Sequence, residues 1–423
     1  MAPVDNLPAA GNQKDVKPKR ILYVEGNVDG TVGGSYYVLY DLVVNLDQSM
    51  YRPVVVFYFD HFLVAELREK GIETYVCDRV QPVILPLSNS TSPIGQMVYQ
   101  AMRPLQRLIN IFRRLVIPAL QWRRFLKQKR IDLVDLNNSV NRNHEWMLAA
   151  ALADVPCMTH EMGINNTFAP LARWFAPRMK AIVPVSHVVE ANMRRLGLDY
   201  DHIQTIHNGI DPARYTVQRT PAQLRDQFGL DDGRPLIGVI GNIKVWKGQE
   251  VAVRATHIIK QTIPDICCLL VGGVADGDRA YHRRLQQICA DLGLKDNVIF
   301  TDFQNNPIDF MNMMDVVIHP SIDPEPFGIV NLEAMLVRKP VVSTTIGAPL
   351  EIFEDGVSGV LVEPNAPCAL ATACIKILND PQRARRLGDA AHARLQSKFT
   401  IQRMVEQNEA LYHRLLYSEP TIN

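Results

Sequence analysis

Residues 316–335 read VVIHPSIDPEPFGIVNLEAM. The opening Val316–His319 is apolar and β-branched and reads as a buried strand. Pro320, Pro324 and Pro326 then prevent a regular ladder or helix. Phe327-Gly328 opens a helix that carries Glu333 and Ala334-Met335. A strand that runs through a loop into a helix is the repeating unit of a parallel sheet covered by helices. The same unit recurs outward in both directions. Arg20–Glu25, Arg52–Phe59, Leu133–Leu136 and Pro156–Thr159 read as strands upstream. Pro235–Gly241, Cys267–Gly272, Val298–Thr301 and Pro340–Ser343 continue the series. Helical periodicity lies between them, as at Gly34–Leu46 and Glu145–Ala153, and again at Gln402–Leu416. The alternation pauses over the turn-rich Gly197–Thr220. So many strands exceed one ordinary open sheet, and the pause implies two doubly wound α/β domains. The expected division is a loose tail 1–19, an N-terminal domain 20–205, a C-terminal domain 206–395, and a closing helix 396–423 packing back on the first domain.

Composition narrows the class. The chain has 423 residues, 47% hydrophobic and 21% charged, enough to bury substantial cores. Its 45 basic and 44 acidic residues leave a net charge of +1, so no whole-molecule field draws nucleic acid. No run reaches the length of apolar residues that a membrane span needs. The first 19 residues, MAPVDNLPAAGNQKDVKPK, lack the apolar core of a secretory signal. Seven scattered cysteines without zinc-ligand spacing suit a reduced, cytosolic compartment. One local imbalance stands out. Met97–Arg130 holds nine Lys/Arg and no acid, within an N-terminal half (1–205) of 23 basic and 19 acidic residues. Its cations are interleaved with Leu, Ile, Phe and Trp, which suits contact with an anionic membrane surface. A solvated basic helix is the plainer alternative and a nucleic-acid arm the third, and Pro104 and Pro118 should break the segment into pieces.

In doubly wound domains the chemistry sits after the strands. Gly26–Gly34 (GNVDGTVGG) follows the first strand and feeds a helix whose amides could face an anion. It lacks both the dinucleotide and the phosphate-loop fingerprints, and a turn needing glycine explains it equally well. His160 ends VPCMTH where a strand should emerge, as an acid, a base or a structural histidine. Lys247 follows the strand that ends at Gly241 and could neutralise a phosphate, or simply be solvated. Glu325 would lie on the loop after Val316–His319. Glu333 would lie in the early helix, able to hold the vicinal hydroxyls of a ribose, with the amides of Gly328, Ile329 and Val330 facing an anion. The junction TIGAPLEI (345–352) places Gly347 and Ala348 near the same ligand or makes a tight turn. Asp276-Gly277-Asp278 is a literal D-x-D, read here as a surface loop.

HNGID (207–211), GN…KG (241–248), PEPFGIVNLEAM (324–335) and GAPLEIFEDGVSG (347–359) together resemble the retaining glycosyltransferases of family GT4. That resemblance implies the GT-B fold, two Rossmann-like domains facing a cleft, over about residues 20–395, with the acceptor on the domain 20–205 that holds the basic segment and the nucleotide-sugar donor on the domain 206–395. It further implies transfer of a sugar from a nucleotide-diphosphate sugar to a glycan or lipid-linked acceptor, as in exopolysaccharide or glycolipid synthesis. Glu325 matches the acid that contacts the transferred sugar, and Glu333 the acid that holds the ribose. Lys247 matches the lysine on the donor diphosphate, within a donor site that includes Phe327, Gly328, Ile329 and Val330. Gly33 and Gly34 match the glycine pair near the phosphates, and His160 a histidine that contacts the donor sugar. Asn242 stands where the family commonly has arginine, leaving Lys244 or Lys247 to compensate. The resemblance implies no metal or other cofactor; the net charge argues for no nucleic-acid partner, and the cysteines with the basic segment for a cytoplasmic enzyme peripheral at the inner membrane face. A nucleotide-sugar epimerase on the same fold and a catalytically silent partner in a glycan-synthesis complex are the competing readings.

Overall fold

The structure, a computed structural model, describes residues 17–28, 32–85 and 91–417. Most of the expected tail, the tip of the Gly26–Gly34 loop and the last six residues lie outside that range. The chain divides into two compact units. The first takes the chain up to Thr159, with Ala169–Ala181 and the end of the chain from Tyr412; the second takes His160–Phe168 and Ile182–Leu411.

Two six-stranded parallel sheets form the framework. The first comprises β1 (Lys19–Val24), β2 (Tyr51–Phe57), β3 (Glu73–Val76), β4 (Leu133–Leu136), β5 (Cys157–Glu161) and β6 (Ala181–Pro184), in the order β3-β2-β1-β4-β5-β6. The second comprises β7 (Leu236–Ile240), β8 (Cys267–Val271), β9 (Val298–Phe300), β10 (Val316–His319), β11 (Val341–Thr344) and β12 (Val360–Val362), in the order β12-β11-β10-β7-β8-β9. Every residue of β4, β7, β8, β10 and β11 is buried, as strands covered by helices on both faces require. Both sheets reverse their strand order at one interior point, β1/β4 in the first and β7/β10 in the second.

The expected strands are present, within a residue or two at their ends. Three further strands, β3, β6 and β12, were not expected, and each lies at the edge of its sheet. The basic segment also differs from expectation. Helix Pro93–Ile111, a five-residue π-helical turn Phe112–Val116 and helix Ile117–Gln128 follow one another without a break. Pro104 lies inside the first helix, and Pro118 falls in the first turn of the last, where its missing N–H costs nothing. No residue of Pro93–Ile111 is buried.

Candidate functional site

In the second unit the loops after β7 and β10, neighbours at the reversal point, hold the charged groups. A doubly wound sheet opens a crevice at this point, beyond the carboxyl ends of its strands. Lys247 ends the short turn Val245–Lys247 and is followed by Gly248 at φ +71°. A Cβ at Gly248 would lie 1.9 Å from the Pro320 carbonyl oxygen, so glycine is what lets the two loops touch. The Ile322 N–H donates to the Trp246 carbonyl across 2.9 Å and fixes that contact.

The contact brings Lys247 onto Glu325. Its Nζ donates to both carboxylate oxygens, at 3.0 and 2.9 Å. Ser321 Oγ donates to Glu325 Oε2 at 3.2 Å, and His319 Nε2 lies 3.4 Å from the same oxygen. That imidazole approach has the distance of a charge interaction without hydrogen-bond alignment. The backbone of Glu325 is held as well, because the Ala348 N–H donates to its carbonyl at 2.9 Å. Gly347, at φ +76°, permits this, since a Cβ there would lie 2.4 Å from the Glu325 nitrogen. Burial pushes the Glu325 carboxyl upward, but His319 and Lys247 outweigh it and hold the group down at about 2.

Glu333 is in the opposite state. It sits half-buried on helix Ile329–Leu336. Desolvation pushes its carboxyl up to about 7, against the opposing pull of a Tyr215 hydrogen bond and the Arg214 charge. Two glutamates eight positions apart therefore differ in protonation near neutrality, a contrast typical of functional carboxylates. Gly328 caps the helix in the left-handed region, with Glu325 Cγ 3.2 Å from where a Cβ would stand. The first helical backbone bond runs from the Asn331 N–H to the Gly328 carbonyl, 2.9 Å, so the amides of Ile329 and Val330 are helix-end donors.

Phe327 is 3% exposed, and its ring packs on His207 and Phe399 at 5.9 and 6.1 Å. It anchors the loop from beneath. Asn242 is exposed beyond β7, and its carbonyl accepts from Gln249 Nε2 at 3.0 Å. His160 is buried at the end of β5. Gly33 and Gly34 belong to the first unit, exposed at the head of helix Gly34–Asn45, where an added Cβ would meet nothing within 4 Å. Asp276 and Asp278 lie in a short turn with no buried residue, and Arg279 donates to Asp276 at 2.6 Å.

Three partners escaped the sequence reading. His319 and Ser321 lie inside residues 316–335 but carry no spacing signal. Asn331, 1% exposed with neither side-chain polar atom bonded, betrays itself only as an amide within an apolar helix. His187, His207 and Glu351 also bring possible metal-ligand atoms within 4.8 Å of one another. The Glu351 carboxylate there already accepts from the His187 and Val188 amides, at 2.9 and 2.8 Å, and pairs with His207 Nε2 at 2.7 Å. It thus acts as a cap on the N-terminus of helix His187–Arg195.

Residues 222–394 match the family described as Glycosyl transferases group 1, and residues 32–214 match Glycosyltransferase Family 4. The chain is 27% identical over 264 residues to the N-acetyl-alpha-D-glucosaminyl L-malate synthase of Bacillus anthracis, covering 62% of this chain and 66% of that protein. It is 32% identical over 193 residues to the GDP-mannose-dependent alpha-(1-6)-phosphatidylinositol monomannoside mannosyltransferase of Mycolicibacterium smegmatis, covering 43% and 48%. The match thus spans less than two thirds of either relative. The crystal structure of Anabaena Alr3699/HepE in complex with UDP and glucose is similar at TM-score 0.73 and 24% identity, over 93% of this chain and 99% of that one. This likeness places the framework in the two-domain, Rossmann-like GT-B fold.

Proposed function

We propose that this chain, whose two halves match Glycosyltransferase Family 4 and the group 1 glycosyl transferases, moves a sugar from a nucleoside-diphosphate sugar to a glycan or lipid-linked acceptor with retention at the anomeric carbon. The observation that carries the reading is the Lys247–Glu325 pair at the head of the helix bearing Glu333. A departing nucleoside diphosphate develops negative charge. Lys247 and the amides at the start of helix Ile329–Leu336 supply preorganised positive charge for it, so the reading calls for no metal. Glu325, held ionised and immobile, faces the transferred sugar, and Glu333 accepts from ribose hydroxyls. His160 contacts the donor sugar from its strand end. Among the described residues nothing stands where a Cβ of Gly33 or Gly34 would lie, which supports an approach by the donor phosphates. Lys247 bears the role that an arginine at position 242 would share. In a front-face displacement the acceptor hydroxyl bonds to the anomeric carbon as the diphosphate leaves, and its proton passes to the departing phosphate oxygen.

That the similar Anabaena protein was crystallised with UDP and glucose supports a nucleotide-sugar donor. Among the described residues no helix is long and apolar enough to cross a membrane. The exposed apolar face of Pro93–Ile111 supports peripheral contact with an anionic bilayer, at the cytoplasmic face, in synthesis of a cell-surface glycan. Incubation with a panel of nucleotide sugars and phospholipid or glycan acceptors tests the reading. Glu325→Ala should abolish transfer yet still bind the nucleotide, whereas near-wild-type transfer by that variant would overturn the site assignment.

A further inference from the structure

Helix His187–Arg195, the loop at His207 and the short helix Pro349–Ile352 all belong to the second unit and meet at one point. There His187, His207 and Glu351 each offer one ligand atom, and the three atoms lie within 4.8 Å of one another. The two imidazole rings are 5.3 Å apart between centroids and nearly perpendicular. Their frame is fixed on both sides. Ser186 Oγ accepts from the Val189 N–H at 3.2 Å and donates to the Pro326 carbonyl at 2.7 Å. Arg394 donates to the Glu351 and Ile352 carbonyls at 3.0 and 2.7 Å. Side-chain exposure falls from 68% at His187 through 27% at His207 to 15% at Glu351, so the cluster opens to solvent past the His187 ring.

Capping the helix does not exhaust the Glu351 carboxylate. Oε1 accepts from the Val188 N–H, and Oε2 accepts from the His187 N–H and faces His207 Nε2. An ionised carboxylate has about four lone-pair sites, so one stays open and the one spent on His207 can be exchanged. Burial raises this carboxyl, but His207 and the two amides outweigh it and keep the group below its usual range. A divalent ion takes the place of the proton between Nε2 and Oε2, while the imidazole keeps a proton on Nδ1. Zinc bound at about 2.0–2.2 Å sets tetrahedral ligand atoms about 3.4 Å apart. The 2.7 Å contact of His207 with Glu351 therefore opens slightly, and the exposed His187 ring closes the remaining gap by rotating. Glu190 Oε2, held by Thr205 Oγ1 at 2.6 Å, stands 3.5 Å from His187 Nδ1, as outer carboxylates do around metal-bound imidazoles. Two imidazoles and one carboxylate suit zinc, nickel or copper, whereas magnesium and calcium favour oxygen alone.

We infer that His187, His207 and Glu351 bind a divalent transition-metal ion of the zinc class, with water in the fourth position, as a clamp across these three segments. None of the three belongs to the donor site, and the ion takes no part in balancing a diphosphate. Zn²⁺ is therefore titrated into the metal-free full chain without nucleotide, in competition with a chromophoric chelator. One ion should bind, and a twofold molar excess of Zn²⁺ should raise the melting temperature by about a degree or more where Mg²⁺ leaves it unchanged. His187→Ala removes an exposed side chain, so it should melt like the parent without metal yet bind zinc at least about tenfold more weakly. His207→Gln should weaken zinc as strongly, while His413→Ala, which removes an exposed histidine of the last helix, should change the affinity less than twofold. Co²⁺ in place of Zn²⁺ should show ligand-field bands in the visible and no thiolate band in the near ultraviolet. Failure to bind zinc, a thiolate band, or undiminished affinity in His187→Ala overturns the inference. UDP added to the same samples keeps the two readings apart: UDP binding without zinc binding fails only this cluster, and zinc binding without UDP binding fails only the donor site.

Discussion

Lys247 and Glu325 satisfy each other, so a diphosphate that engages Lys247 must draw it partly away from a buried carboxylate. Ser321 and His319 are placed to hold that carboxylate when it does. Removing the cation outright is another matter. Lys247→Ala leaves Glu325 buried with a hydroxyl and an imidazole, and a broken buried pair typically costs about 3–5 kcal/mol. Glu325→Gln keeps the volume but removes the charge and leaves Lys247 without its partner, and should cost about 3 kcal/mol in urea unfolding. The pH dependence follows in sign. The Glu325 carboxyl is held at about 2 in the folded chain against 4.5 as reference, so its contribution is complete above the reference value and is lost as pH falls through 2. The difference is worth about 3 kcal/mol, and unfolding midpoints between pH 5 and 2 should drop less steeply in Glu325→Gln than in the parent. Glu333 runs the other way. Its group is raised to about 7, so it favours the folded state below the reference and loses that advantage as pH rises through 7. Ribose hydroxyls, by contrast, need its ionised form as acceptor. UDP affinity should therefore fall as pH drops from 8 to 6, and Glu333→Gln should be weaker but nearly flat across that range. An unchanged slope in Glu333→Gln would remove Glu333 from the donor site.

At the scale of elements, β7 and β8 were legible because five apolar residues in a row admit few readings, and the four-residue β4, β10 and β11 because their Val and Leu stand between turn formers. The three strands that were missed are short edge strands. β3 is Glu-Thr-Tyr-Val with only Thr74 buried, and β12 is partly open throughout. β6 is buried, but only four residues long and closed by Pro184. The candidate site divides along the same line. Glu325, Glu333 and Lys247 were readable from strand–loop–helix context, whereas His319 and Ser321 matter only because the loops after β7 and β10 are brought together. That juxtaposition follows from strand order, which local sequence does not encode. The basic segment shows the opposite error, since its prolines marked breaks that the chain does not make. Its outward apolar face gives the element's own prediction. Leu105→Ser, Leu108→Ser and Phe112→Ser together remove exposed side chains, so the melting temperature should shift by only a degree or two while co-sedimentation with anionic vesicles is largely lost. Unchanged sedimentation would exclude this face as the membrane contact.

Over the whole molecule, charge is segregated rather than balanced. Nine of the 45 basic residues occupy 97–130, which leaves 36 against 44 acidic residues in the rest of the chain. An anionic donor must therefore be captured by local groups, Lys247 and helix-end amides, against a mildly repulsive background. That makes donor binding a strict test of the site. Unfolding of the full chain should be followed with UDP, GDP, ADP, dTDP and CMP, each with and without magnesium. A ligand present at 100 times its dissociation constant adds about 2.7 kcal/mol to the native state, a rise in melting temperature of a degree or more in a chain of this size. One diphosphate should stand out, its shift should be the same after magnesium is chelated, and Lys247→Ala should abolish it. A shift that requires magnesium would mean that the cation, and not Lys247 with the helix amides, balances the diphosphate. The donor chemistry would then have to be rebuilt around metal ligands.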